Sequence, residues 1–279
     1  MSGARALIWV QHLLGIGHLR RAAALARALA ERDFDTMLVS GGMPLQGLDL
    51  GTAKLKQLPP LRAADTTFSA TVDANGQKPN SAFRAERRDR LLSLYREHRP
   101  HVVITEMYPF GRRQFGAELL PLLEAVHQTR PKPAIFASVR DILTERRDPA
   151  RNSEMAELAL RWYRAVLVHG DHELIPFEAS FPETARISHL IRYTGYIGAV
   201  GPGGPYGASG EVIVSAGGGA VGAHLLQTAL EARKLSALAD RRWRLLAGPN
   251  LPTEWFNALK RLSHDGTVVE RARADFPAL

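Results

Sequence analysis

The sequence predicts an α/β protein made of two parallel-sheet halves, and three observations carry the prediction. Apolar runs of strand length alternate with helical patterns almost throughout, as repeated βαβ units require. Two glycine-rich turns, Gly15-Ile16-Gly17-His18 and Ser215-Ala216-Gly217-Gly218-Gly219-Ala220-Val221-Gly222, each follow an apolar run and open a helical pattern. Between them, the stretch from Gly195 to Gly207 is the densest in turn formers and reads as a linker. The expected domains are 1–198 and 211–279, joined by a Gly/Pro-rich linker over 199–210.

Each element follows from its pattern. Ala6–Val10 is a near-continuous apolar run, as expected of a strand covered on both faces. Leu19, Ala22, Ala23, Ala26, Leu29 and Ala30 then repeat at helical spacing, with Arg20, Arg27 and Glu31 on the other side. Thr36–Ser40 is the second strand and ends in Gly41-Gly42; Leu55–Leu58 is a third, before Pro59-Pro60. Residues 62–80 lack periodicity and read as a lid or binding loop. Ser81–His98 reads as a charged helix burying Phe83, Leu91, Leu94 and Tyr95, with the cationic run Arg84 to Arg90 on a solvated face. Strand Val102–Thr105, helix Gln114–His127, strand Ala134–Val139, helix Glu154–Tyr163 and strand Ala165–Val168 complete the first half. After the linker come strand Glu211–Ser215, helix Ala220–Ala232, strand Arg244–Ala247, helix Thr253–Leu262 and strand Thr267–Glu270. A complete nucleotide-binding sheet usually has more than three strands, so the second domain is expected to be incomplete.

Composition narrows the function. Of the 279 residues, 45% are hydrophobic and 23% charged, an ordinary globular balance. The absence of cysteine excludes disulfides, thiolate metal sites and a Cys nucleophile. No apolar run approaches the roughly 18 residues of a membrane span, and Ala6–Val10 is too short for a secretory signal. The expectation is a soluble, cytoplasmic protein. Net charge is +8, and only six of the 36 cationic side chains are lysine. That surplus suits an anionic ligand, a phosphate-bearing substrate or an acidic lipid surface. No helix-turn-helix, zinc or aromatic RNA-binding signature accompanies it, so nucleic acid is not an expected partner.

Parallel sheets hold ligands at the carboxyl ends of their strands, which singles out the residues following each one. Gly15 and Gly17 begin like a dinucleotide fingerprint, but Arg20 stands where the third glycine belongs, which argues against NAD. His18, at a helix start beside those glycines, reads as a donor-phosphate contact or a general base, because imidazole titrates in the right range. The plainer alternative is a capping or packed histidine. Glu106 follows a strand and reads as a base, or as the group that orients His18 or an acceptor hydroxyl. Arg112 and Arg140 are placed to contact an acceptor or an anionic group, with a structural Arg140–Asp141 pairing as the alternative for the second. Ser215, Gly217, Gly218, Gly219 and Ala220 form a phosphate-loop candidate, since successive glycines expose backbone amides at a helix start. That loop lacks the Gly-Lys-Ser/Thr of a P-loop, so ATP hydrolysis of that type is not expected. Asn250 follows the next strand and could line the same edge. Asp33-Phe34-Asp35 lies on the edge opposite to ligands and reads as a solvated turn. His169-Gly170-Asp171-His172-Glu173 has metal-binding residue types, but five adjacent polar residues cannot all converge on one ion, and the segment reads as a cleft-lining loop. Neither a metal nor a cofactor is expected. The lack of a Gly-x-Ser-x-Gly elbow argues against a serine hydrolase.

The chain resembles the MurG-like sugar transferases of glycosyltransferase family 28, and most closely a bacterial group known as predicted glycosyltransferases. The resemblance rests on Gly15-Ile16-Gly17-His18-Leu19-Arg20-Arg21, Pro109-Phe110-Gly111-Arg112-Arg113-Gln114 and Ser138-Val139-Arg140-Asp141-Ile142-Leu143. Val168-His169-Gly170-Asp171, Tyr193-Thr194-Gly195-Tyr196 and Ser215 to Gly222 extend it. It implies a GT-B fold, with the acceptor in the N-terminal half and a nucleotide-diphosphate sugar donor in the C-terminal half. It places Gly17 and His18 toward the donor phosphates and reacting centre, and Gly217 to Ala220 on the donor-side loop. The reaction it implies is hexosyl or N-acetylhexosaminyl transfer to a hydroxyl acceptor, inverting and metal-independent. A lipid-linked acceptor would bring peripheral association with the inner membrane face. Two departures stand out. Tyr196-Ile197-Gly198 follows Gly195 where better-known members carry an arginine that contacts the diphosphate. The family's later donor-binding segment would begin just after Leu279, so the chain is expected to be C-terminally truncated. A nucleotide-sugar epimerase, and a non-catalytic nucleotide or anionic-lipid binding protein, are the rival readings.

Overall fold

The computed structural model describes residues 3–65, 70–144, 148–198, 210–217, 222–249 and 251–272. The chain divides into two compact units, Met1–Leu13 with His18–Gly198, and Leu14–Gly17 with Ala199–Leu279. In chain order the first contains β1 (Arg5–Val10), α1 (Gly17–Ala30), β2 (Asp35–Ser40), β3 (Lys54–Gln57), β4 (Arg62–Ala63), β5 (Thr71–Val72), α2 (Ser81–His98) and β6 (Val102–Glu106). It continues with α3 (Gly116–Gln128), β7 (Ala134–Arg140), α4 (Pro149–Trp162), β8 (Ala165–His169), α5 (Thr184–Ile187) and β9 (Ile191–Tyr193). Seven strands form one sheet in the order β3-β2-β1-β6-β7-β8-β9. Every neighbouring pair in it is parallel. The direction of winding reverses between β1 and β6, and at such a switch point the carboxyl ends of the two strands leave a crevice.

Side chains alternate across a strand, so β1 serves two layers at once. Ile8 and Val10 pack with Leu19, Ala22, Ala23 and Ala26 of α1, together with Leu38 and Ile104. Three alanines on that helix face let it lie close to the sheet. Trp9 faces the other way, where its ring meets Phe115 at 5.9 Å and its indole N–H donates to Glu118 of α3 at 3.2 Å. Glu118 in turn accepts two hydrogen bonds from Arg87 of α2, at 2.8 and 2.9 Å. Arg87 also donates to the carbonyls of Gly41 and Pro59 and to Gln11 Oε1. This guanidinium is 1% exposed, so it does not lie on the solvated face expected of the Arg84–Arg90 run. It is the polar hub that ties α2 and α3 to the loops leaving β1 and β2. Gly41 makes room for it, since a Cβ there would strike Gln11 and Arg87, and a Cβ on Gly42 would strike the His12 ring.

Other departures from expectation have local causes. Helix α4 begins at Pro149 rather than Glu154, because Asp148 caps it by accepting from the Ala150 amide and Pro149 occupies its first turn. Within residues 62–80, β4 and β5 pair as a short antiparallel ribbon. The outermost strand, β9, has only three residues with Arg192 at its centre, and carries no periodic signal.

The second unit contains β10 (Val212–Ser215), α6 (Ala223–Ala232), β11 (Trp243–Ala247), α7 (Thr253–Leu262) and β12 (Thr267–Arg271), its strands parallel in the order β10-β11-β12. Its core joins Leu226, Ala229 and Leu230 of α6 to Trp243, Leu245, Ala247, Leu259 and Val269. Arg244 bridges Glu211 and Glu270 at 2.8 and 2.7 Å across the sheet. Helix α6 starts at Ala223 rather than Ala220. Gly222 precedes it at φ 109°, where an added Cβ would lie 2.6 Å from that of Ala216, so glycine is required at this position. No helix among the described residues is long and apolar enough to cross a membrane.

Candidate active site

At the switch point of the first unit α1, from His18 onward, meets the end of β6. Glu106 is the last residue of β6 and is 1% exposed, two residues beyond Ile104 and so on the face that α1 covers. His18 and Arg21, one turn apart on α1, both reach it. His18 Nδ1 lies 2.9 Å from Glu106 Oε1, and Arg21 Nη2 donates to the same oxygen. Arg21 Nη2 also passes 3.2 Å from His18 Nδ1.

Nδ1 stands 2.9 Å from an acceptor, Glu106, and 3.2 Å from a donor, Arg21; taking the shorter contact as the bond puts the hydrogen on Nδ1. It therefore accepts nothing from Arg21, whose approach serves the shared oxygen. His18 Nε2 is left with its lone pair, and it has no hydrogen-bond partner among the described residues. Burial is the largest influence on His18 and lowers its pKa. The Arg112 and Arg21 charges add to that, and the Glu106 hydrogen bond only partly offsets it, leaving the imidazole below 6.5 and neutral at pH 7. Burial alone would raise the Glu106 carboxyl, but the His18 hydrogen bond and the Arg21 charge outweigh it and hold the group ionised. The arrangement is a neutral imidazole, fixed in one tautomer by a buried carboxylate, with its basic nitrogen free.

Glu106 is held from its other side as well. Ser138 of β7, its register partner, donates Oγ–H to Glu106 Oε2. Ser138 Oγ lies 2.9 Å from His169 Nε2, and His169 Nδ1 lies 2.7 Å from Thr194 Oγ1. Ser138 and His169 are buried, while Thr194, just past β9, is exposed. Burial, reinforced by the Arg21 charge against the pull of Glu106, lowers His169 to about 4.

Arg112 stands nearby on the segment after β6. Its Nε donates to the Gln11 carbonyl at 2.8 Å, while its terminal nitrogens have no partner among the described residues. Burial lowers its pKa, and the Glu106 charge acts against that. Gly15 and Gly17 have open space among the described residues where a Cβ would stand, and α1 carries no acidic residue in its first turn. Arg140 ends β7 as an exposed side chain and joins neither this cluster nor an ion pair with Asp141 among the described residues. In the second unit Ser215 ends β10 and its Oγ accepts from the Gly217 amide at 3.3 Å. Gly218, Gly219, Ala220 and Asn250 lie outside the described residues, as does most of the 199–210 linker. Among the described residues no three His, Asp or Glu side chains converge as metal ligands. Sequence reasoning put Ser138 and the loop begun by His169 at the ligand edge without giving either a role, and missed Arg21 and Thr194 as members of the site. The available signal was their position, one helical turn after His18 and at the carboxyl end of β9.

No family model matches the sequence, and no curated protein sequence matches it. Solved structures do. A glycosyltransferase from Rickettsia africae ESF-5 is similar at 12% identity with a TM-score of 0.58, over 99% of this chain and 70% of that one. UGT2 of Phytolacca americana, complexed with UDP-2fluoro-glucose and pterostilbene, is similar at 14% identity and 0.54, over 98% and 72%. MurG of Acinetobacter baumannii is similar at 11% identity and 0.52, over 98% and 70%. A plant enzyme thus matches as well as MurG does, and the likeness does not single out the MurG-like family 28. At these identities it establishes architecture: the chain has the Rossmann-like, parallel-sheet α/β fold of the GT-B glycosyltransferases.

Proposed function

We propose that the protein transfers a sugar from a nucleotide-diphosphate donor to a hydroxyl acceptor, with inversion at the anomeric carbon and without a metal ion. The observation that carries this reading is the free Nε2 of a neutral His18 whose Nδ1–H is engaged by buried Glu106. The acceptor hydroxyl gives its proton to Nε2 as its oxygen bonds the anomeric carbon. The bond from that carbon to the phosphate oxygen breaks, and its electron pair leaves with the diphosphate. Glu106 then faces an imidazolium rather than an imidazole, and its charge stabilises the proton gained in the transition state. Single displacement gives inversion. The first turn of α1, which carries no acidic residue, and the free nitrogens of Arg112 supply positive potential for the departing charge. We assign Ser215, Gly217 and the glycines after it to the donor phosphates. The GT-B fold supports transfer as the reaction class, and the cationic surplus suits an anionic or lipid-linked acceptor met at a membrane surface.

The test begins with thermal shift against nucleoside diphosphates and their sugars, because a ligand bound only by the folded state raises the melting temperature. Mass-spectrometric assay of transfer with the stabilising donor follows. His18→Ala should lower turnover about 10²- to 10⁴-fold, the range for a general base. Chelator should leave the rate unchanged. Undiminished turnover in His18→Ala removes the base from the scheme, and conversion of donor without acceptor would instead identify an epimerase.

A further inference from the structure

Four polar groups behind His18 form a hydrogen-bonded chain, and the transfer scheme uses only the last of them, Glu106. From the surface inward they are Thr194, His169, Ser138 and Glu106. The donor directions follow from the fixed end of the chain. Glu106 is a carboxylate and can only accept, so the single Ser138 hydrogen points at it. Ser138 must then accept from His169 Nε2–H, which leaves Nδ1 as an acceptor for the Thr194 hydroxyl at 2.7 Å, nearer than the Gly195 and Val168 carbonyls at 3.1 and 3.4 Å that could take the same hydrogen. The chain runs one way, and it ends on the carboxylate that sets the His18 tautomer. Burying Ser138 and His169 costs desolvation that apolar side chains would avoid. What they supply in return is direction: Glu106 Oε2 is tied to β7, so Oε1 stays turned toward His18.

Resting on the general-base reading of His18, we propose that Ser138 and His169, anchored by Thr194, are positioning residues that fix the Glu106 carboxylate and so keep His18 in its Nδ1–H tautomer. None of the three touches the reacting atoms. Removing the Thr194 hydroxyl frees His169 to carry its hydrogen on Nδ1. Its Nε2 then accepts from Ser138, whose hydrogen turns away from Glu106. Changing one exposed atom should therefore be felt three residues along the chain.

The experiment reads the His18 ring by nitrogen NMR, which needs no substrate, in wild type, Thr194→Val, Ser138→Ala, His169→Leu and His169→Gln. Wild type should show His18 protonated on Nδ1 alone. Thr194→Val, Ser138→Ala and His169→Leu should show a mixture of tautomers, and His169→Gln, whose amide can donate to Ser138 and accept from Thr194, should restore the wild-type pattern. In the transfer assay the same three variants should lose about ten- to a hundredfold in kcat with KM little changed, the scale of misplacing a catalytic group. A single Nδ1–H tautomer in folded Thr194→Val and Ser138→Ala overturns the proposal. Thr194→Val alters only an exposed group, so it decides the matter even where the buried variants fail to fold. Absence of transfer in wild type would count against the general-base function, while the tautomer result would still decide the positioning role.

Discussion

Acidification should loosen the first unit through His169, by an amount the structure sets. This ring is 4% exposed, and burial together with the Arg21 charge lowers its pKa to about 4, although Glu106 pulls the other way. In the unfolded chain it returns to an ordinary value near 6.5. A histidine depressed on folding contributes its full stability above the unfolded pKa, and loses it as pH falls toward the folded one, because the unfolded chain binds the proton first. Each pH unit across that gap is worth about 1.4 kcal/mol, so the loss reaches about 2 kcal/mol at pH 5 and about 3 kcal/mol by pH 4. Urea unfolding followed through the Trp9 indole resonance reports the first unit, where that ring is buried. Running the same titration on His169→Gln, which cannot titrate, cancels every other group in the difference. The wild-type minus variant stability should be level above pH 7 and should fall by roughly a decade in equilibrium constant per unit below 6.5. A difference that stays flat from pH 7 to pH 4.5, or a His169 ring that titrates near 6.5, would refute the buried neutral assignment and the chain direction built on it.

Two further outcomes follow from the same geometry. Arg87→Met leaves the Glu118 carboxylate buried without its guanidinium and should cost about 3–5 kcal/mol. Arg87→Met with Glu118→Leu should recover part of that loss, because the stranded charge is gone while the Gly41 and Pro59 carbonyls, Gln11 and the Trp9 N–H still lack their partners; equal melting temperatures for the single and double variants would show that the stranded carboxylate is not the source of the cost. The transfer rate should rise with pH along an acid limb below 6.5, as His18 sheds its proton. Arg112→Ala, by removing a charge that lowers His18, should move that limb to higher pH, and an unmoved limb in kcat/KM would separate Arg112 from the base.

The sheet was legible in the sequence because its punctuation is local: an apolar run, a glycine turn and a helical period occur within about fifteen residues of one another. Elements without that punctuation were not legible. Three-residue β9 is too short to show a period, and Asp148-Pro149 starts α4 by capping chemistry before any apolar repeat begins. Arg87 was misplaced for a different reason. In a run of cations, nothing local distinguishes the one whose partner, Glu118, lies 31 residues away on another helix. The site divides along the same line. His18 and Glu106 could be found because strand order predicts where a ligand edge lies, and their side chains suit acid–base chemistry. Ser138 and His169 could be put at that edge too, but not joined to Glu106, since the link between them exists only in the register of β6, β7 and β8. One trace of the link was nevertheless present. Val-Val-Ile-Thr-Glu, Ala-Ile-Phe-Ala-Ser and Ala-Val-Leu-Val-His are three apolar runs that each reach a polar side chain at the carboxyl end of a strand. In a parallel sheet those ends converge on one edge, so a polar residue that closes an otherwise apolar strand is a candidate for the site even when its type suggests no chemistry of its own.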